Sequence, residues 1–312
     1  MTSPSPFPIP HSRPRRYGAV NGILLLDKPL GLSSNQALQK SRHLFEAAKA
    51  GHTGSLDPLA TGLLPVCFGE ATKVAGFLLG ASKAYHAELR LGVTTSTDDA
   101  EGEPLVTRPV PELSAADIEA ALATLRGRIT QVPPAYSAIK QGGVALYKRA
   151  RRGEDVRVPA RQVDVQRLDL LGRDGDRLTL HVECGSGTYV RSLARDLGER
   201  LGCGAHLTAL RRLWVEPFRQ PTMYSLQALE QIKAGGGALD GCLLPLEQGL
   251  AGLPELLLSD DQAAQLKQGK RLQQARLRDV ALCRASGPDG RLVALVRMDA
   301  DGEVSVLRGF NI

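Results

Sequence analysis

The chain has 312 residues, 43% hydrophobic and 23% charged, the make-up of a folded protein with room for about two domains and a sizeable core. Its 39 lysines and arginines against 33 acidic residues leave a formal charge of +6, a weak bias toward a polyanionic partner. The five scattered cysteines form no C-x-x-C, and no apolar run approaches the roughly 18 residues that span a bilayer, which argues against a zinc ribbon, a redox dithiol or a membrane span and for a cytoplasmic setting.

Residues 1–20 carry Pro4, Pro6, Pro8, Pro10 and Pro14 with Arg13, Arg15 and Arg16, and read as a disordered basic tail. No long apolar region follows Arg15-Arg16, so they are not a twin-arginine export signal. Ile23–Leu26 predicts a buried strand ending in the turn Asp27-Lys28-Pro29-Leu30-Gly31. Ser34 is expected to cap a helix with Ala37, Leu38, Leu44, Phe45 and Ala48 on one face. The stretch Gly51-His52-Thr53-Gly54-Ser55-Leu56-Asp57-Pro58 reads as an irregular loop. At 84–91, Tyr85, Ala87, Leu89 and Leu91 alternate with His86, Glu88 and Arg90, the pattern of a half-buried strand. Ser114 opens a helix, with Asp117 placed to complete its cap. Residues 160–170 and 177–184 alternate as two strands. The loop Gly185-Ser186-Gly187-Thr188 leads into a helix carrying Val190, Leu193, Ala194 and Leu197. Residues 206–215 look extended, and Gly235-Gly236-Gly237 marks a loop. From about Leu253 a separate unit is expected, with one helix capped by Ser259, strands at 280–283, 292–296 and 304–307, and a turn at Asp301-Gly302. That pattern predicts a small β-barrel.

Several familiar chemistries are absent. There is no G-x-x-x-x-G-K-[ST], G-x-S-x-G, H-E-x-x-H or glycine-rich dinucleotide fingerprint, and the six histidines lack ligand spacing. An enzyme built on this chain is expected to need neither metal nor organic cofactor. Asp57 lies between Gly54 and Pro58, where the proline keeps it extended and the loop can open its carboxylate to a cleft. A turn aspartate bonding its own backbone fits the same residues. Arg191 sits in a helix's first turn, where a cation opposes the macrodipole at a cost of roughly several tenths of a kcal/mol. A fixed carboxylate or phosphate partner would justify it, as would a side chain turned away from the axis. Tyr85 and Tyr189 adjoin short or glycine-rich turns in a chain only 4% aromatic, and either line a pocket or pack in a core. Lys148, Arg149, Arg151, Arg152, Arg157 and Arg161 face only Glu154 and Asp155, with Tyr136 and Tyr147 upstream. Such a cluster suits an RNA-contacting element or a solvated helix face.

Asp27-Lys28-Pro29-Leu30-Gly31 with Ser33-Ser34, the run Gly51 to Val66, Lys83-Ala84-Tyr85, the run Pro133 to Arg151, the run Gly187 to Gly198 and the run Gly204 to Arg212 occur in that order across residues 22–212. Together they closely resemble the TruB-type tRNA pseudouridine synthases. Ser33 stands where that family usually has threonine, which keeps the hydroxyl. Residues 1–20 fall outside the resemblance, and the C-terminal unit shares only its size and pattern.

The resemblance implies an α+β fold: a mixed, largely antiparallel-sheet catalytic domain over 21–250, with an RNA-clasping insertion at about 130–155, and a PUA-like RNA-binding β-barrel over 251–312. It implies isomerisation of uridine 55 in the tRNA T-loop without a cofactor. By resemblance Asp57 is the nucleophile, Arg191 the arginine that pairs with it and keeps it ionised, and Tyr85 the residue that stacks on the base and assists proton removal. Tyr189 and Leu210 line the base, His52 fills space in the remodelled T-loop, and Lys28 and Pro29 support the pocket. Lys148, Arg149, Arg151 and Arg152 contact the RNA backbone. The partner is the T-arm of tRNA, with no membrane, no implied protein partner and a monomeric enzyme. Attack by Asp57 on base or on sugar both remain open. The competing class is a non-catalytic RNA-binding or tRNA-folding chaperone; a hydrolase is disfavoured because no paired base or metal site accompanies Asp57.

Overall fold

Strands with apolar faces assemble into a ten-stranded mixed sheet in a computed structural model that describes residues 17–137, 139–150, 152–154, 156, 158–273 and 282–311. The basic tail up to residue 16, Arg151, Arg157 and the start of the expected 280–283 strand lie outside the described residues. The sheet's main path runs Tyr224–Ser225, Gly22–Lys28, Ala60–Phe68, Ala205–Val215, Lys83–Leu91, Arg177–Cys184, Arg161–Asp174 and Gly127–Gln131. Two pairings are parallel, Gly22–Lys28 with Tyr224–Ser225 and Ala205–Val215 with Ala60–Phe68; the others are antiparallel.

The central strands are apolar on the faces that helices cover. Tyr85, Ala87, Leu89 and Leu91 are buried in alternation as their spacing predicts. They pack with Leu193, Ala194 and Leu197 of the helix Val190–Arg200 and with Ile118 and Leu122 of the helix Ala115–Ala123. Truncating one such leucine to alanine costs about 2–5 kcal/mol. Leu24, Leu26, Leu64 and Val66 pack beneath the helices Ser34–Leu44 and Leu226–Ala234. The latter ends at Gly235, where the glycine run begins.

Three local expectations are corrected. The cap of the first helix is Ser33, whose side chain accepts the Gln36 N–H while Gln36 reaches back to the Ser33 N–H; Ser34 is already helical and its hydroxyl is used elsewhere. That helix stops at Leu44, because Glu46 takes a positive φ of 51°, so Ala47 becomes buried and Ala48 lies exposed beyond the helical face. The stretch from Gly51 is not wholly irregular: Ala50–His52 pairs antiparallel with Ala60–Phe68, since an open sheet edge captures even a glycine-containing segment.

The C-terminal unit is a curled sheet of five strands, in the order Glu255–Leu257, Cys283–Ser286, Leu292–Met298, Glu303–Gly309, Leu272–Gln273, packed on the helix Asp260–Lys267. Ser259 caps that helix. The unit has its own sheet and its own buried cluster, and it also packs against the larger sheet. Leu292, Leu295 and Phe310 share one buried cluster with Ile23, Leu25, Leu63 and Val215, and Lys73 Nζ donates to the Gly309 carbonyl at 2.8 Å. No helix among the described residues is long and apolar enough to cross a membrane.

Candidate active site

Asp57 is fixed through its neighbours. Ser34 Oγ accepts the Leu56 N–H at 2.7 Å and donates to the Leu56 carbonyl at 3.0 Å. The Gly31 N–H donates to the Pro58 carbonyl at 2.9 Å, and the Ala60 N–H to the Asp57 carbonyl at 3.0 Å. Lys28 organises the strap that does this: its fully buried ammonium donates to the carbonyls of Pro29 at 2.9 Å and Leu32 at 2.5 Å. The segment 28–34 thus holds the backbone on both sides of Asp57.

Arg191 is where its awkward helix position is explained. Its Nη2 lies 3.0 Å from Asp57 Oδ2, and its Nη1 lies 3.2 Å from Asp99 Oδ2. The same guanidinium donates to the carbonyls of Thr97 at 3.0 Å and Tyr136 at 2.8 Å. Two carboxylates therefore offset the opposed macrodipole. Asp99 is buried and accepts further bonds from Thr97 Oγ1 and the Glu101 N–H. Asp57 keeps 43% of its side chain exposed, toward the cleft. Its pKa is raised: desolvation dominates, Arg191 and Lys28 oppose it, and Asp99 adds to it. The arginine moderates the carboxylate's affinity for a proton without reversing it, contrary to the simple expectation.

Strand register supplies the opposite wall. Tyr85 lies directly across from Arg212, and Ala87 from Leu210. Burial pushes the pKa of the Tyr85 hydroxyl up to about 12, and the neighbouring Arg212 opposes that rise without cancelling it. Arg212 is 1% exposed and donates to the carbonyls of Leu63 at 2.6 Å and Gly54 at 3.2 Å. The strand carrying it presses against Gly62, where a Cβ would meet the Arg212 carbonyl oxygen at 2.2 Å. Lys83 donates to the carbonyls of Leu79 at 3.2 Å and Ala81 at 2.5 Å, and burial lowers its pKa to about 8.

These groups surround a cavity of about 300 Å³, at the small end for a ligand site, that Asp57, Tyr85, Tyr189, Arg191 and Leu210 all line. Gln131 grips Tyr189 by both backbone groups, at 2.8 and 3.1 Å, and the Arg161 guanidinium sits 5.0 Å from its ring centre. His52, Lys28 and Pro29 do not line the cavity. His52 has a buried Nδ1 without a hydrogen-bond partner and a pKa lowered by burial and Arg212. Pro29 is exposed, and its carbonyl serves Lys28.

The basic cluster is partly self-satisfied. Lys148 is exposed, but Arg149 donates to Glu154 at 2.6 Å and to Gln141 at 2.9 Å. Arg152 remains 69% exposed, 3.9 Å from Glu154. Arg151 lies outside the described residues.

Sequence reasoning missed Asp99, Arg212, Lys83, Gln131 and Ser34. Asp99 lies in no recognised block, and only its burial beside Arg191 marks it. Lys83 and Arg212 stand inside quoted blocks, and the strand pairing that sets them together is long-range.

Residues 42–190 match the family model of the TruB family pseudouridylate synthase N-terminal domain. Residues 191–251 match the tRNA pseudouridylate synthase B C-terminal domain, and 253–308 the tRNA pseudouridine synthase II C-terminal domain. The tRNA pseudouridine synthase B of Xanthomonas axonopodis pv. citri is 58% identical over 95% of this chain and 96% of its own. That of Pseudomonas syringae pv. syringae is 47% identical over 93% of this chain and 95% of its own. The fold matches a chain in the crystal structure of a Cbf5-Nop10-Gar1 complex with a TM-score of 0.74 and 25% identity, covering 96% of this chain and 88% of that one.

Proposed function

The chain belongs to the TruB family of tRNA pseudouridine synthases, and we propose that it isomerises uridine 55 in the T-loop of tRNA with Asp57 as nucleophile. The observation that carries this reading is the pairing of a cleft-exposed carboxylate with a buried arginine at 3.0 Å. Arg191 favours the ionised, nucleophilic form of Asp57 within a site whose burial works against it.

The uridine flips out of the T-loop, at a cost of a few kcal/mol, into the cavity between Asp57 and Tyr85. Tyr85 stacks on the base, Leu210 supplies an apolar wall, and Tyr189 closes one side. With a pKa of about 12, Tyr85 rests as a neutral phenol, so its hydroxyl first serves as a hydrogen-bond donor to the base and takes up proton transfer only as charge develops. Asp57 attacks either C1′ of the ribose or C6 of the base; the glycosidic bond opens, the ring turns, and C5 bonds to C1′.

His52 fills the space the flipped base leaves, while Lys28 and Pro29 act through the strap beside Asp57. Lys148, Arg149, Arg151 and Arg152 contact the RNA backbone as part of an insertion at about 130–155; Tyr136, within it, touches Arg191 through its carbonyl. Residues 251–312 act as a PUA-like RNA-binding domain beside a catalytic domain over 21–250. The enzyme works as a monomer in the cytoplasm without a protein partner.

Single-turnover conversion of a T-arm minihelix tests the reading, with pseudouridine mapped by position. Conversion at position 55 alone, lost in Asp57→Asn, is expected. Tight binding with no conversion would instead identify a non-catalytic RNA chaperone.

A further inference from the structure

Lys83 and Arg212 both line the cavity, at 8% and 1% exposure. Lys83 and Tyr85, two apart on one strand, point to the same face, and Arg212 lies across from Tyr85 on the neighbouring strand. The two cations therefore flank the tyrosine. Their hydrogen bonds go to backbone carbonyls. Among the described residues neither forms an ion pair with a carboxylate, and each makes the other's charge costlier to hold: Arg212 is the largest charge acting on Lys83. Burying one unpaired cation is expensive, and burying two side by side adds their repulsion. Capping the last carbonyls of the helix Ala75–Leu79 would explain Lys83 alone, but not a second cation beside it facing the same cavity. Such an arrangement is suited to negative charge that arrives with the substrate and peaks during reaction.

We propose that Lys83 and Arg212 form a cationic floor that stabilises the negative charge developed on the uracil ring, an inference that rests on the isomerisation proposed above. If Asp57 attacks C1′, the new Oδ–C1′ bond forms as C1′–N1 breaks, and the bonding pair stays on N1, spread toward O2 and O4. If it attacks C6, the C5–C6 π pair moves toward O4 instead, and C1′–N1 then breaks with its bonding pair kept on N1. Both routes load the ring with negative charge before C5 bonds to C1′. After rotation C5 bonds to C1′, the carboxylate leaves, C5 gives its proton to water and N1 takes one from water, so the product is an isomer and the ring is neutral again. On either route Asp57 is the attacking group with Arg191 beside it, and Lys83 and Arg212 face the ring that takes up the charge.

The test uses the full-length protein and two T-arm minihelices, carrying uridine or 5-fluorouridine at the target position. The fluorine withdraws electrons and stabilises the ring anion by itself. Lys83→Gln removes the charge while its amide can still donate to the carbonyls of Leu79 and Ala81; Lys83→Met and Lys83→Arg complete the set. Single-turnover disappearance of the parent nucleoside is followed by chromatography, and RNA affinity is measured in parallel. Lys83→Gln is expected to slow uridine by roughly 100-fold and 5-fluorouridine by about tenfold or less, with affinity within about threefold and Lys83→Arg close to wild type. If Lys83→Gln does not fold, the same contrast is read from Lys83→Met. Equal losses on both RNAs, or wild-type rates in the uncharged variants, would overturn this role alone. A wild type that binds both RNAs and converts neither would overturn the reaction and this role together.

Discussion

Ser34→Ala is expected to weaken the fold and the rate through a single residue, Leu56. The hydroxyl serves both backbone groups of Leu56, at 2.7 and 3.0 Å, and both residues are buried. Alanine leaves an N–H and a carbonyl without their partner in a place water does not reach. Each such group costs about 1–3 kcal/mol, so a loss of about 2–6 kcal/mol is expected, a large share of the roughly 5–15 kcal/mol that holds a domain together. Asp57 follows Leu56 directly, and a displacement of about 1 Å at a reacting group costs on the order of 100-fold in rate. Urea unfolding and single-turnover rates read the two effects separately. Ser33→Ala is the control: it removes the exposed helix cap at a cost of about 1 kcal/mol but leaves the Leu56 bonds in place, so its rate should stay near wild type. Stability within about 0.5 kcal/mol of wild type together with an unchanged rate for Ser34→Ala, or an equal rate loss in Ser33→Ala, would refute the clamp.

Asp57→Asn should abolish turnover while keeping tRNA affinity within about tenfold. Because the fold raises the pKa of Asp57 above its unfolded value, the ionised carboxylate carries a stability cost that is complete above the folded pKa and gone below the unfolded one. Asp57→Asn should therefore unfold at an equal or higher urea concentration at neutral pH, the difference shrinking as pH falls through that window; a pH-independent loss of stability would contradict the raised pKa. Tyr85→Phe should bind RNA and lose most of its rate, and Tyr85→Ala should also bind less tightly; equal kinetics for Tyr85→Phe and wild type would leave the ring as its only contribution. Neutralising the exposed Lys148 and Arg152 together should reduce the slope of log K against log salt by about one to two, alike for T-arms of different sequence, whereas an unchanged slope would make the cluster a solvated face.

What could be read in the sequence was local. The alternation at 84–91, the cap at Ser114 and the apolar stripe of Val190, Leu193, Ala194 and Leu197 each depend on residues a few positions apart, and each forms as expected. The choice between Ser33 and Ser34 turned on one residue of phase. Both can cap, but Ser33 has Gln36 three residues on to complete the box, which frees Ser34 for a bond 22 positions away. The local features of Asp57 and Arg191 left a turn aspartate and an outward-facing arginine open; their pairing was expected from the resemblance, and the ion pair at 3.0 Å brings them together. Asp99 gave no such sign: nothing near it in sequence shows that it will meet an arginine 92 positions on (191 − 99). Lys83 and Arg212 were hidden for the same reason, since only the pairing of two strands brings them to one cavity.

The electrostatic design of the site follows from which elements carry its charges. Asp57, the proposed nucleophile, is on an irregular loop, the least rigid choice, but that loop is bonded at Leu56 and Pro58 to the strap 28–34. Its partner Arg191 is on a helix, anchored from four sides by two carboxylates and two carbonyls. Tyr85, Lys83, Leu210 and Arg212 are on the two central strands, whose mutual register leaves them little freedom. A buried site with this many charges must be held by rigid surroundings, because each group would otherwise move to water or neutralise by exchanging a proton. The burial that raises the pKa of Asp57 also strengthens every Coulomb interaction made with a substrate in the cavity. On the proposed reaction, the same desolvation is thus the condition under which Arg191 beside Asp57 and Lys83 with Arg212 beside Tyr85 would act strongly on charge developing in the cavity.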